Sequence, residues 1–211
     1  MIHIESFFLG PMDNIVYILS DSDTKTCLVI DPAWDISQLI TYIEKKQFCL
    51  NGILLTHGHH DHCNGLNELL SYRYVNVYLS ELEAPSLTPH VTSLIKIKNQ
   101  HRIPLGKLTI TSYLTPGHTP GGACYQIAGH LFTGDTLFVN GCGRCDLDNS
   151  NVDDMYHSLE WFKSLPSTTM IYPGHHYGDR TTDTLENQKK TNRFLLCKNK
   201  EAFIRKRMGR I

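Results

Sequence analysis

THGHHDH, Thr56 to His62, sets three imidazoles and a carboxylate (His57, His59, Asp61, His62) within six residues. The run leading into it, Gly52-Ile53-Leu54-Leu55-Thr56, is mostly apolar and reads as a short buried strand. Side chains on a strand alternate faces with a period of two. If the chain stays extended past Thr56, His57 and His59 point the same way, and a turn brings Asp61 and His62 round to them. His60 has the opposite parity and is left out of the set. Packing does not require four polar groups at the mouth of a buried strand. A divalent metal does, because neutral imidazole and carboxylate are ligands for zinc or iron.

Around this stretch the totals describe one ordinary domain. The chain has 211 residues, 41% of them hydrophobic, and a net charge of −1, which suits a globular protein without strong general attraction for polyanions. No apolar run approaches the roughly 20 residues of a membrane helix, and the start, MIHIESFFLGPMDN, lacks a basic n-region and a cleavage site. The expectation is a cytoplasmic protein with neither membrane nor nucleic acid as partner. Seven cysteines, an odd number, suggest reduced thiols rather than a disulfide framework. From Lys189 onward there are nine Lys or Arg and one Glu, a local basic patch.

In chain order, Ile15–Leu19 and Cys27–Ile30 read as paired strands. Asp35 to Lys46 has helical spacing, with Asp35 as its cap. Cys63–Ser71 reads as a helix and Val75–Leu79 as a strand; Pro85–Gln100 carries no clear pattern. Leu108–Leu114 reads as a strand, Ala123–Ala128 and His130–Thr133 as a hairpin over Gly129, and Gly141–Asn149 as a loop. Val152–Leu165 is expected to be helical, Thr169–Tyr172 a strand, and Thr181–Leu196 and Lys200–Arg207 helices. Two sheet-rich halves with flanking helices point to an α/β protein, an αββα sandwich of two mixed sheets. The chain forms one domain, 1–211, with a short basic helical extension from about residue 181.

Three further loops at strand ends each carry a possible ligand directly after glycine: Gly117-His118, Gly134-Asp135 and Gly174-His175. With the opening cluster they make five His and two Asp.

In these motifs the chain resembles the metallo-β-lactamase superfamily of binuclear metallohydrolases, and within it the glyoxalase II-like thioesterases. The likeness runs through Asn14, Asp31-Pro32, THGHHDH, PGHTPGG, FTGDTLFVNGCGR and YPGHHYG, most of the chain. It implies one metal on His57, His59 and His118, a second on Asp61, His62 and His175, and Asp135 bridging them. The implied cofactor is two zinc ions, with iron or a zinc–iron pair as the alternative. Two cations a few ångström apart lower the pKa of bound water from ~16 toward ~7, and the bridging hydroxide attacks a carbonyl carbon. Asp61 both ligates and orients that nucleophile. A thiolate leaves with a pKa near ~8.5 and needs little acid assistance, so a thioester suits such a site. Arg144 matches a family cation that meets the carboxylate or phosphate of the thiol carrier, and Tyr177 a family tyrosine that holds the thiol.

Some 36 residues follow His175, where glyoxalase II enzymes proper have a longer helical region that helps bind glutathione. The shorter form resembles the thioesterases associated with polyketide synthesis, which act on acyl groups carried by a phosphopantetheine arm. The substrate is then a small-molecule or carrier-protein thioester. The basic residues Arg193, Lys198, Lys200, Arg205, Lys206, Arg207 and Arg210 either meet an acidic acyl carrier protein or form a solvated helix face. Cys142-x-x-Cys145 has redox spacing but follows no βαβ opening, and no second CxxC completes a zinc site.

Two other activities fit parts of the pattern. A mononuclear iron persulfide dioxygenase resembles the chain in PGHT, GD and GCGR and would use His57, His118 and Asp135. A nuclease of the same superfamily would suit two metals and the basic tail, yet no interleaved aromatic and basic groove is seen. A non-catalytic binding module is disfavoured because no ligand position is missing.

Overall fold

Along Asn14–Asp21 (β2) every residue is buried, and its apolar side chains sort by parity. Ile15, Tyr17 and Leu19 join one core cluster; Val16 and Ile18 join another. A strand buried on both faces lies in the middle of a layered protein. The computed structural model describes residues 1–83 and 91–209. Pro85–His90, the first part of the stretch that shows no pattern, and Arg210 lie outside them.

Two six-stranded mixed sheets carry the fold. The first runs β1 (Ile2–Leu9), β2, β3 (Thr26–Ile30), β4 (Cys49–Leu54), β5 (Asn76–Ser80) and β6 (Leu94–Ile97). Its first three strands are antiparallel neighbours and its last four parallel. The second is ordered β14 (Asp183–Thr184), β13 (Met170–Pro173), β10 (His130–Gly134), β9 (Ala123–Ile127), β8 (Leu108–Leu114) and β7 (Arg102–Leu105). Helices α1 (Ser37–Lys45) and α3 (Leu66–Tyr72) cover the first sheet through Leu39, Ile43, Leu66 and Leu69. Helices α4 (Val152–Ser164), α5 (Leu185–Thr191) and α6 (Lys200–Met208) cover the second through Leu159, Phe162, Leu185 and Phe203. Between the sheets lie Tyr17, Leu28, Leu54, Ile110, Tyr125 and Phe132. This is the αββα sandwich expected from the sequence. No described helix is long and apolar enough to cross a membrane.

Several local expectations change. Strand β4 stops at Leu54, and the chain is already bent at Thr56. The backbone leaves the first sheet there because Thr56 N–H donates to Asp31 Oδ1 (2.7 Å), while its carbonyl accepts from Ala123 N of the second sheet (2.8 Å). Asp61 and His62 arrive on one helical turn, α2 (His60–Cys63). Ile36 rather than Asp35 occupies the cap of α1, although the Asp35 carboxylate accepts from Ser37 N at 3.1 Å. Thr181–Leu196 is not one helix: Asp183–Thr184 pairs with β13, and α5 ends at Thr191. Buried Asn192 turns its amide to the carbonyls of Phe138 and Gly141 instead of continuing the helix. The Gly141–Asn149 loop begins with β12 (Gly141–Cys142), paired with β11 (Leu137–Phe138). The basic extension is anchored, since Phe203 is fully buried and Lys200 pairs with Asp153 at 2.6 Å.

Candidate metal centre

The strand ends that bear the expected ligands meet at one edge of the sandwich. Ile15 N donates to Gly174 O (2.8 Å), and the Tyr17 hydroxyl donates to Pro173 O (2.7 Å). These bonds hold the His175 loop against the first sheet, as the Thr56–Ala123 bond holds the histidine cluster against the second.

All seven expected residues come together there. Ligand atoms of His57, His59 and His118 lie within 4.8 Å of one another, and so do those of Asp61, His62 and His175. In the first trio His59 Nδ1 stands 3.0 Å from both His57 Nε2 and His118 Nε2. In the second, His62 Nε2 and His175 Nε2 are 3.0 Å apart, with Asp61 Oδ2 at 3.5 and 3.4 Å from them. Asp135 lies between the trios. Its Oδ1 faces His62 Nε2 (3.3 Å) and His175 Nε2 (3.4 Å), and its Oδ2 faces His118 Nε2 (3.5 Å). Exposed His60 belongs to neither trio.

The ring nitrogens turned away from the centre explain how the donors are aimed. His57 Nδ1 meets Thr56 Oγ1 (3.0 Å), His62 Nδ1 meets Asp31 Oδ2 (2.9 Å), His118 Nδ1 meets Arg144 O (3.0 Å) and His175 Nδ1 meets Met12 O (2.8 Å). A carbonyl or carboxylate can only accept, and the Thr56 hydroxyl already donates to Asp31 Oδ2 (2.7 Å). Each outer nitrogen therefore carries a proton, and the Nε2 lone pairs converge. Lone pairs at 3.0 Å repel unless a proton or a cation lies between them. A tetrahedral zinc with Zn–N of about 2.0–2.1 Å has edges of roughly 3.3–3.4 Å, close to the spacings seen. Asp135 Oδ1 adds a buried acceptor that no hydrogen bond reaches. The donor set thus fits metal at two adjacent positions.

Electrostatics agree. Burial, with His62 adding, drives the His57 pKa well below the usual imidazole value, and burial with His118 lowers that of His59. Burial opposes charge on His62 too, but Asp135 and Asp31 outweigh it and raise its pKa. Burial would raise the Asp135 pKa, yet His62 and His175 hold it well below the carboxylate range.

Two glycines are required by geometry. Gly134 has φ +47°, and a Cβ on Gly174 would lie 2.6 Å from Asp135 Oδ1 and 2.8 Å from His62 Cε1.

The centre opens into a cleft of about 440 Å³ lined by Met12, Phe138, Arg144, Leu147 and Tyr177 along with the metal-facing residues. Tyr177 stacks on His175 (4.6 Å, 8°) and is edge-on to Phe138. Arg144 reaches the cleft wall, but its guanidinium is paired in two bonds of 2.9 Å with Asp146. Cys142 and Cys145 stand outside both trios and are buried. Burial pushes both thiol pKa values up, that of Cys145 to about 11, which leaves little thiolate for redox chemistry. The sequence did not reveal as supports the Met12 carbonyl, the Arg144 carbonyl or Glu83, whose carboxylate accepts from Gly58 N and Gly121 N, and Asn14 stood at the start of the family likeness without a role. Asp31 stood in the Asp31-Pro32 motif, but without a role.

The chain is similar to known proteins along most of its length. The chain is 36% identical over 192 residues to the probable polyketide biosynthesis zinc-dependent hydrolase BaeB of Bacillus velezensis, covering 90% of this chain and 85% of that protein. It is 41% identical over 165 residues to a hydroxyacylglutathione hydrolase of Buchnera aphidicola, covering 78% of this chain and 63% of that protein. The crystal structure of ETHE1 from Myxococcus xanthus superposes with a TM-score of 0.87 at 28% identity, covering 96% of this chain and 88% of that one. Residues 10–175 match the model of the metallo-beta-lactamase superfamily, and with the fold and both trios in place the chain belongs to that superfamily.

Proposed function

We propose that this protein hydrolyses thioesters with two metal ions, and that the acyl group is carried on an anionic thiol such as glutathione or a phosphopantetheine arm. It is a metal-dependent hydrolase, as its relatives named zinc-dependent hydrolase and hydroxyacylglutathione hydrolase are. The observation that carries the finer reading is Asp135, with one oxygen turned to each trio. His57, His59 and His118 would hold one ion, Asp61, His62 and His175 the second. Such ions, when bound, supply an activated water and a Lewis acid for the carbonyl oxygen.

The protein's own groups do the rest. Asp61, 17% exposed, orients the attacking water from the cleft side. The lining of the cleft offers no carboxyl besides Asp61 and Asp135, and both face the ring nitrogens. A substrate whose leaving group needs no proton suits this cleft, and a thiolate is one. Phe138, Arg144 and Tyr177 also line an adjoining groove of about 280 Å³ that ends on Arg193, Phe194 and Arg207. The Arg193 and Arg207 guanidinium carbons lie 4.8 and 5.5 Å from the Phe194 ring, and neither forms an ion pair among the described residues. Two unpaired cations beside the cleft favour an anionic carrier, such as an acidic acyl carrier protein.

The persulfide dioxygenase reading needs one iron on His57, His118 and Asp135, and leaves the Asp61, His62 and His175 trio without a task. Both readings meet one experiment: metal content of protein purified without chelator, followed by assays on acyl-glutathione, acyl-CoA and acyl-carrier-protein thioesters. Two metals per chain with turnover of one of these thioesters is expected. One iron per chain with oxygen uptake on a persulfide, and no thioester cleaved, overturns it.

A further inference from the structure

The metal-facing imidazoles are aimed by oxygen atoms behind them, but Asp61 has no ring to be held by. Its support is Asn14, which is 2% exposed. The Asn14 amide nitrogen donates to Asp61 Oδ2 (3.1 Å) and to the Asp61 carbonyl (3.0 Å). Which end of that amide is nitrogen follows from its other contact. Trp34 Nε1 lies 2.7 Å from the opposite atom, and an indole N–H can only donate, so that atom is the oxygen. Trp34 is fixed in turn. Its backbone N–H donates to Asn64 Oδ1 (2.6 Å), its φ is +61°, and its ring fills the space a side chain on Gly10 would need. A positive φ at a bulky aromatic is strained, and such strain persists where the surroundings enforce it.

We propose that Asn14, oriented by Trp34, is a positioning residue for Asp61 and serves the second metal position alone. Asp61 Oδ2 is the oxygen turned toward His62 and His175, so the amide fixes the atom that faces this position. The side chains of the other two groups are tied separately, His62 to Asp31 and His175 to the Met12 carbonyl, while the Asn14 and His175 backbones form a β-bridge that does not involve the amide. Among the described residues no side-chain hydrogen bond links Asn14 to the first trio, whose outer contacts are Thr56 and the Arg144 carbonyl. The inference rests on the two-metal reading, but its primary test does not need the substrate.

The test is stepwise zinc titration of metal-free protein against a chromophoric chelator, with cobalt absorption as a second signature. Wild type is compared with Asn14→Leu, Asn14→Ser and Trp34→Phe. Asn14→Leu removes both ends of the amide. Trp34→Phe removes only the indole donor and keeps the amide. The second equivalent is expected to weaken about 10- to 100-fold in Asn14→Leu, the range for loss of a group that orients a ligand. The first equivalent should stay within about three-fold in every variant, and Trp34→Phe, which frees the amide to turn, should weaken the second equivalent by less than Asn14→Leu does. On whichever thioester the wild type cleaves, kcat falls and KM holds. Equal weakening of both equivalents means a merely structural role and overturns the proposal, as does a second equivalent that does not change. If Asn14→Leu does not fold, Asn14→Ser decides by the same comparison, since its hydroxyl can serve only one of the two Asp61 oxygens. Thioester activity absent in every variant, wild type included, would refute the functional reading and leave the titration intact.

Discussion

Asp31 Oδ2 accepts a hydrogen bond from His62 Nδ1 at 2.9 Å, and the same oxygen takes the Thr56 hydroxyl at 2.7 Å. Thr56 in turn meets His57 Nδ1. One carboxylate at the end of β3, held at φ +52°, therefore stands behind both trios. In Asp31→Asn, one of the partners on Oδ1 and Oδ2 faces an amide NH2 instead of an acceptor. Both zinc equivalents are expected to weaken, by about 10- to 100-fold, in contrast to the single-position effect of Asn14→Leu. Titration of both variants side by side checks this; an Asp31→Asn protein with one unaltered equivalent would contradict it.

Glu83 clamps the two loops that supply the first trio. Its Oε2 accepts from Gly58 N at 3.0 Å and its Oε1 from Gly121 N at 2.7 Å. Glu83→Gln keeps the shape and loses one of these acceptors. A charge-assisted bond to a buried partner contributes about 1.5–3 kcal/mol, so the urea midpoint should fall accordingly. The first zinc equivalent should loosen while the second holds. A midpoint equal to that of wild type would show that the clamp contributes nothing.

The layers and the residues that converge at the centre were legible because each has a local signal. Tyr17 and Val16 alternate by parity, and His57, His59, Asp61 and His62 sit within one short string. The supports had none. Asn14 meets Asp61 across 47 residues, and Glu83 meets Gly58 and Gly121 across 25 and 38; a lone Asn or Glu in sequence says nothing of such partners. Strand β6 escaped notice because Leu94, Ile95 and Lys96 are not fully buried, so polarity does not alternate there. The two-residue strand β14 is too short for any periodicity and exists only through its pairing with Met170 and Ile171.

Asp21 gives a pH-dependent prediction away from the site. Its carboxylate accepts from Lys107 N (2.9 Å), Asp23 N (3.2 Å) and Thr24 Oγ1 (3.0 Å), which joins the end of β2 to the β7–β8 turn of the other sheet. The Lys107 amide foremost holds its pKa well below the carboxylate range. A folded-state pKa below the unfolded value of about 3.9 adds stability above that value and loses it as pH falls further. Asp21→Asn should therefore lower Tm at pH 7, and the gap from wild type should narrow steadily below about pH 4. A gap independent of pH would remove the charge from the explanation.

Gly174 separates the requirements of the site from those of the fold. A methyl there would sit 2.6 Å from Asp135 Oδ1 and 2.8 Å from His62 Cε1, closer than side-chain carbons approach other atoms. Asp135 is short and its side chain only 10% exposed, so relief must come from moving the oxygen that faces His62 and His175. Overpacking of this kind costs about 1–3 kcal/mol of stability, which a folded domain can absorb. The site cannot absorb it, because that oxygen is aimed between two imidazoles. Gly174→Ala is expected to fold with a modestly lower Tm, while kcat/KM drops at least ~100-fold, about 2.7 kcal/mol of transition-state stabilisation. Gly129→Ala is the control: φ is +84° and nothing lies within 4 Å of the added carbon. That substitution strains the hairpin turn without crowding anything, so it should lower Tm and leave kcat/KM near wild type. Activity lost in equal measure by both variants would mean that Gly174 acts through general stability, and that the close approach to Asp135 is incidental.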